Sequence, residues 1–258
     1  MLSLLASVLS PFFFELTPEV RTTYQSLGKI VEDRPMQITN LRFGWDSGMV
    51  GRFGVRNWDV SSLSDRRSDA HRHALYHTEW GPTWQYDWEI AEGWMLKSDL
   101  TRSWTMYRGF ENDDSNKTYH FWQIDQSLEN PYVVPFYRIR RAIRTMDYTY
   151  FKVGLRRRLD LGGGFSLTPS VFAEGGSGRN MLRVFSPKVD GTTWSSGIGS
   201  VSFRLELGWR YNEYLSLFTA IEQYEVVGDD ARRANDRLAY RCAHNDWTHG
   251  TVGVRIKF

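Results

Sequence analysis

The 258-residue sequence predicts an all-β protein, a closed antiparallel up-and-down barrel of about twelve strands that crosses a membrane. Three observations predict this fold class. Apolar and polar residues alternate with a period of two in segment after segment, as a strand between an apolar and a polar medium requires. The connections between these segments are alternately short and long. Aromatic residues make up 15% of the chain although its mean hydropathy is −0.47, which suits strands that are polar on one face.

The first element is an apolar N-terminal stretch, residues 1–14, about as long as the h-region of an export signal. It has no positively charged segment before it and no clean cleavage site. We expect residues 1–12 to be the remnant of an export signal and residues 13–258 to form a single barrel domain. The alternative is a buried N-terminal segment.

Six alternating segments predict the first half of the barrel. The segment at 79–88 has the strongest pattern, because large rings and a proline alternate with polar residues there. Turn signals such as Asp-Ser-Gly at 46–48 separate neighbouring segments. The predicted strands are 14–24, 39–45, 49–60, 79–88, 94–107 and 119–128.

Six further segments predict the second half. Three glycines at 162–164 and an Asn-Glu pair at 212–213 mark tight turns. Proline cannot donate a hydrogen bond to a ladder, so Pro82, Pro135 and Pro169 predict bulges or locally unpaired positions. The predicted strands are 132–143, 150–161, 165–173, 201–210, 215–226 and 247–258.

The last segment carries the family resemblance. Val252 and Phe258 lie on its apolar side, Arg255 and Lys257 on its polar side, and the sequence ends on the aromatic Phe258. This resembles the closing strand of bacterial outer-membrane β-barrels, whose terminal Phe is commonly read by the assembly machinery. The resemblance implies an outer-membrane location in a two-membrane bacterium, with the lipid bilayer and the assembly machinery as partners of a monomeric barrel.

The order of the connections supports this resemblance. Short turns are predicted near 47, 91, 130, 163 and 213, and longer loops near 30, 67, 113, 145, 186 and 236, of which only the loop near 145 is short. Short periplasmic turns and longer extracellular loops are typical of outer-membrane barrels. Strand length, this asymmetry and the abundance of Trp and Tyr favour a membrane barrel. The alternative is a soluble ligand-binding barrel with an apolar interior.

Several classes of protein are excluded by composition. No run of 18 apolar residues exists, which excludes a spanning helix. A net charge of +2 argues against a nucleic-acid binder. The single cysteine, Cys242, excludes an internal disulfide. His71 and His73 lack a third ligand at a useful spacing, so we expect neither a metal nor a cofactor.

The polar faces of the strands predict a charged, Arg-rich lumen. We interpret it either as the wall of a passive channel for small solutes or ions, or as ion-paired side chains that fill the barrel of a structural surface protein. We favour a narrow, partly filled lumen without catalysis. The predicted lumen-lining residues are Arg42, Lys97, Asp99, Asp125, Arg138, Arg140, Lys152, Arg156, Arg158, Glu174, Arg204, Glu206, Arg210 and Glu222.

The apolar faces predict a lipid-facing surface with aromatic girdles. Arg141 and Arg157 fall on this side, and we expect them to reach toward headgroups. The predicted lipid-facing aromatic residues are Trp80, Trp84, Tyr86, Trp88, Phe203 and Trp209.

An outer-membrane hydrolase, of protease or lipase type, is the alternative function. His244, with acidic pairs at 113–114 and 229–230, loosely resembles the His/Asp grouping of omptin-type surface proteases, but the order and spacing differ. The His and Ser of outer-membrane phospholipases are not matched, because Thr251 stands two residues after His249. We therefore predict no catalytic residue.

Overall fold

The strands of a closed barrel account for most of the described chain. The computed structural model describes residues 12–26, 29–32, 34–63, 76–108, 119–143, 149–177, 197–227, 232 and 245–258. The barrel strands are β1 (Phe12–Arg21), β4 (Met36–Asp46), β5 (Arg52–Ser62), β6 (Tyr76–Ala91), β7 (Trp94–Arg108), β8 (Tyr119–Glu129), β9 (Val134–Ile143), β10 (Thr149–Arg156), β11 (Leu159–Gly162), β12 (Phe165–Gly176), β13 (Gly197–Arg210), β14 (Leu215–Val226) and β15 (Asp246–Lys257).

Each barrel strand pairs antiparallel with its neighbours, and the sheet closes on itself through β1 with β15 and β10 with β12. The short β11 continues the line of β10 and pairs with the same neighbour, β12. The thirteen strands therefore occupy twelve positions around the barrel, which confirms the predicted fold class. Two further strands, β2 (Tyr24–Ser26) and β3 (Lys29–Glu32), pair with each other between β1 and β4. The longer loop predicted near 30 therefore contains a pair of short strands.

Prolines explain where the ladders are interrupted. The Arg157 N–H donates to the Pro169 carbonyl at 3.1 Å, but Pro169 has no N–H to return, and the ladder breaks between β10 and β11. Pairing of β6 with β7 likewise skips Pro82, between Trp80 and Thr83. Pro135 pairs with Leu155 of β10, but the pairing of β8 with β9 ends at Ser127 and Phe136, so Pro135 is unpaired on its β8 side.

Five short connections lie at one end of the barrel, together with the start of β1 and the end of β15. We call this the short-turn end, and the other the long-loop end. Asn side chains build two of these turns: Asn130 Oδ1 accepts from the N–H groups of Tyr132 and Val133 at 2.9 and 3.0 Å, and Asn212 acts similarly. Glycines 162–164 form a third turn with φ angles of 81°, 60° and 82°, a conformation that favours Gly.

The two faces of the sheet differ as the alternation predicts. Large apolar side chains point outward and are exposed, for example Trp80 at 48% and Phe203 at 52%. Polar and charged side chains point inward, and those in the long-loop half are mostly buried. A small apolar cluster of Met36, Ile38 and Val60 lies among them. A soluble barrel with an apolar interior would have the opposite arrangement. In the part of the chain that the structure describes, no helix is long and apolar enough to span a membrane.

Candidate functional site

The predicted lumen residues are divided among three regions of the barrel interior. In the short-turn half, a large cavity is lined by one group and a smaller cavity by another, while the remaining residues are buried in packing around the long-loop half. The first group is Arg42, Lys97, Asp99, Asp125, Arg138, Lys152 and Arg156; the second is Arg158, Glu206 and Arg210; the third is Arg140, Glu174, Arg204 and Glu222.

The large cavity has a volume of about 540 Å³ and an excess of positive charge. Seven basic side chains line it, namely the five in the first group above together with Arg52 and Lys257. Only four acidic side chains line it: Glu15, Asp87, Asp99 and Asp125. Most of the basic groups are ion-paired: Arg52 and Lys257 each lie 3.7 Å from Glu15. Lys97 has no ion pair with any described residue.

Asp99 anchors the wall of this cavity. Its carboxylate accepts hydrogen bonds from the Thr83 and Thr101 hydroxyls, both at 2.9 Å, and from the Gln85 amide at 3.0 Å. The guanidinium of Arg42 lies 2.9 Å away. Since β4 and β7 are separated by two strands, this ion pair bridges part of the interior instead of lying along one ladder.

Arg56 is different from the other arginines of the interior. It is the cross-strand neighbour of Arg42 on the same inner face, and its Nε donates to Asn40 Oδ1 at 3.3 Å. Among the described residues it has no carboxylate within ion-pair distance. The charges of Arg42 and Arg138 act on it, and so, with the opposite effect, do those of Asp125 and Glu79. The alternation of β5 predicts this inward orientation for Arg56, as for Arg52.

One step toward the long-loop end from the cavity lies a buried cluster of polar side chains. Arg140 donates from both terminal nitrogens to the two carboxylate oxygens of Glu79, at 2.8 and 2.9 Å. Arg140 also donates to Gln123 Oε1 at 2.7 and 2.9 Å, and His77 Nε2 lies 3.4 Å from Glu79. Glu79 is only 4% exposed and Gln123 1%. We call Glu79, Arg140, Gln123 and His77 the clamp.

The opposite wall is equally filled by paired groups. The Tyr150 hydroxyl donates to Glu174 at 2.8 Å, and Lys152 Nζ lies 3.3 Å from the same carboxylate. Arg204 contacts Glu206 at 3.1 Å and Glu222 at 3.4 Å. Among the described residues, the two cavities above therefore lie in the short-turn half, while buried ion pairs fill part of the long-loop half.

The smaller cavity, of about 350 Å³, lies at the short-turn end between β11 and β15. Arg158 and Arg210 line it, together with Glu206 and Arg255, which lie 2.7 Å apart. It adds further basic surface at the same end of the barrel.

The candidate hydrolase residues do not form a site in the described chain. His249 points inward and is buried, 3.7 Å from Glu222, and His120 packs its ring against Trp104. In the described ranges no three His, Cys, Asp or Glu side chains are grouped to hold a metal. The other candidates, which lie outside the described residues, are His71, His73, Asp113, Asp114, Asp229, Asp230, Cys242 and His244.

The outer face carries the aromatic residues that the sequence assigns to it. Trp80 stacks on Trp104 at 4.8 Å between ring centroids, and Trp209 stacks on Phe165 at 6.1 Å. The remaining members, Trp84, Tyr86, Trp88 and Phe203, alternate with inward-facing neighbours. Arg141 and Arg157 also fall on this face by register.

Comparison with solved structures covers nearly the whole chain. An outer-membrane channel from Pseudomonas putida F1 matches with a TM-score of 0.57 and 9% identity, over 96% of this chain and 95% of that chain. The KdgM porin in complex with disordered oligogalacturonate matches with a TM-score of 0.51 and 8% identity, over 95% and 99%. The NanC porin matches with a TM-score of 0.50 and 8% identity, over 95% and 100%.

At these identities the likeness shows the fold. No protein-family model matches the chain, and no curated protein matches it. Three features agree with that likeness: the closed barrel with twelve strand positions, the exposed apolar outer face and the charged interior. The chain has the fold of an outer-membrane β-barrel, and its exposed apolar outer face suits the lipid of a bilayer.

Proposed function

We propose that the protein is a narrow passive channel that favours small anions, with its wider, basic half at the periplasmic side. The single observation that carries this proposal is the surplus of basic side chains around the 540 Å³ cavity. A wall with an excess of one sign of charge in low-dielectric surroundings raises the local concentration of the opposite ion.

Arg56 supports the preference for anions. Its guanidinium has no carboxylate partner among the described residues and lies beside Arg42. A mobile anion that reaches this point gains a charge-assisted hydrogen bond and relieves the repulsion among the arginines. The KdgM porin, which has the same fold, was solved with an oligogalacturonate, an acidic sugar, and a basic interior would let this chain accept acidic solutes as well.

The clamp sets the expected size of the current. Because Glu79 and Gln123 are almost fully buried, little water-filled space remains beside them. The proposed channel therefore conducts weakly and passes ions or very small solutes, unlike a wide porin.

A second function is favoured by the same clamp. If the ion pairs of the long-loop half remain closed, the barrel is a structural surface protein with no continuous pore. The fold hosts channels and enzymes alike, so architecture alone does not decide between these functions or exclude the hydrolase.

Conductance of the refolded protein in a planar lipid bilayer tests the proposal. We expect small unitary currents, with a zero-current potential in a KCl gradient whose sign indicates anion preference. A cation-selective potential would contradict the proposed selectivity. The absence of current from protein that shows heat-modifiable migration on a gel would favour the structural barrel.

A further inference from the structure

The outer face of β7, β8 and β9 carries a row of two arginines with a tryptophan between them. Arg102 pairs with Trp122 across one ladder, and Trp122 pairs with Arg141 across the next. All three side chains share the outer face. Neighbouring strands lie about 4.8 Å apart, so the two arginine Cα atoms are separated by roughly 10 Å.

Tryptophan rings hold Arg102 in place. Its guanidinium carbon lies 5.3 Å from the ring centre of Trp104 and 5.6 Å from that of Trp122, distances typical of cation–π contacts. The Nε atom of Arg102 is buried without a hydrogen-bond partner. Arg102 makes no ion pair with any described residue, so its charge is balanced by nothing in the described barrel.

Arg141 is also oriented. It donates from Nη1 to the Thr149 hydroxyl at 2.7 Å, which positions its guanidinium on the same row. By the alternation of the strands, no acidic residue faces outward in the described parts of β6, β7, β8 or β9. The row therefore places two guanidinium groups on a face that has no outward acidic residue in these described strands.

The height of the row places it at a headgroup layer. Trp94 begins β7 at the short-turn end, and ten residues later Trp104 packs against Trp80. Ten residues of a strand tilted by about 40° rise roughly 25 Å, the height of the apolar band of an outer-membrane barrel. Trp104 and Trp122 thus belong to the girdle on the long-loop side, where an arginine can reach the outer leaflet.

We propose that Arg102 and Arg141, on either side of Trp122, bind the phosphate groups of a lipid headgroup in the outer leaflet. Guanidinium groups bind phosphate oxygens in pairs. Stacking between Trp104 and Trp122 orients the Arg102 group before the lipid arrives, so less side-chain freedom is lost on binding. The inference rests on the orientation of the barrel in the membrane, and not on conductance.

Lipid retention measured by native mass spectrometry tests the proposal. The refolded protein, in uncharged maltoside micelles, is mixed with diphosphoryl lipid A or with the same lipid after removal of its phosphates. We expect retention of the phosphorylated lipid to exceed that of the phosphate-free lipid at least tenfold. Equal retention by the wild-type protein would overturn the proposal without any variant.

Variants locate the site. R102Q/R141Q is expected to lose at least tenfold in retention, whereas R157Q is expected to retain lipid like the wild type, because Arg157 is an outward arginine near the short-turn end. Unchanged retention by folded R102Q/R141Q, or equal loss in R157Q, would overturn the assignment. Competition by millimolar inorganic phosphate would show a site for free phosphate and would overturn the lipid as its source.

Discussion

Arg140 and Glu79 form a two-pronged ion pair across the barrel interior, from strands that are three positions apart in the sheet. The pair joins residues 61 positions apart in the chain. It lies on the long-loop side of the large cavity, and we expect it to contribute to the stability of the barrel and to limit the width of its lumen.

Removing one member of this pair is expected to destabilise the barrel. E79Q removes the carboxylate that faces the buried Arg140 guanidinium, and loss of one partner of a buried ion pair costs about 3–5 kcal/mol. R156Q is the matched control, because the Arg156–Glu129 pair is more exposed and exposed pairs contribute about 0–1 kcal/mol. Urea-dependent unfolding in micelles measures both, and an equal effect of the two variants would contradict the burial argument.

Arg56 is expected to set ion preference. R56Q removes a guanidinium that has no carboxylate partner in the described chain, so the anion preference should fall or reverse. R56K keeps the charge and should keep the preference. The zero-current potential in a salt gradient distinguishes the variants, and an R56Q potential identical to that of the wild type would remove Arg56 from the proposed pathway.

Ile221 tests contact with lipid. It is exposed on the outer face at mid-height of β14. I221K would place a lysine at the bilayer midplane, which is expected to lower the free energy of unfolding by about 2–4 kcal/mol. The control is L161K at the short-turn end, where the cost near the interface falls to about 0–1 kcal/mol. Folding titrations into lipid vesicles compare them. A soluble barrel would tolerate both changes equally.

Gly154 is expected to reject any larger side chain. A Cβ atom there would lie 2.5 Å from the Val171 carbonyl oxygen and 2.7 Å from the Phe136 ring. G154A should destabilise the barrel by about 1–3 kcal/mol through overpacking. In contrast, a Cβ at Gly250 would have its nearest atom at 3.7 Å, so G250A should fold like the wild type in the same titration.

Phe258 tests the proposed assembly signal. Its backbone exchanges hydrogen bonds of 2.9 and 3.0 Å with Phe14, and its ring stacks on Tyr214 at 5.5 Å. F258A keeps the backbone bonds, so refolding in micelles should change little while the amount in the outer membrane of cells falls several-fold. Equal losses in both assays would mean that the ring is structural. F258W should behave like the wild type in both.

The sequence by itself determined which residues of each strand share a face. Period-two alternation places Trp80 on the apolar face and Arg140 on the polar face. The strand lengths, the connection lengths and the abundance of Trp and Tyr predicted that the apolar face is the outer one. The alternating lengths of the connections then determined the order of the strands, since neighbouring strands joined by turns pair with each other.

Only the tertiary structure decided which groups meet. Arg140 reaches Glu79, and Arg102 lies between two tryptophans, because barrel closure and the stagger between ladders bring strands that are distant in sequence to matching heights. Parity carries no information about height, so the sequence could not separate the ion-paired arginines from Arg56. For the same reason the sequence could not predict the row of Arg102, Trp122 and Arg141, because these residues become neighbours only through the pairing of β7, β8 and β9.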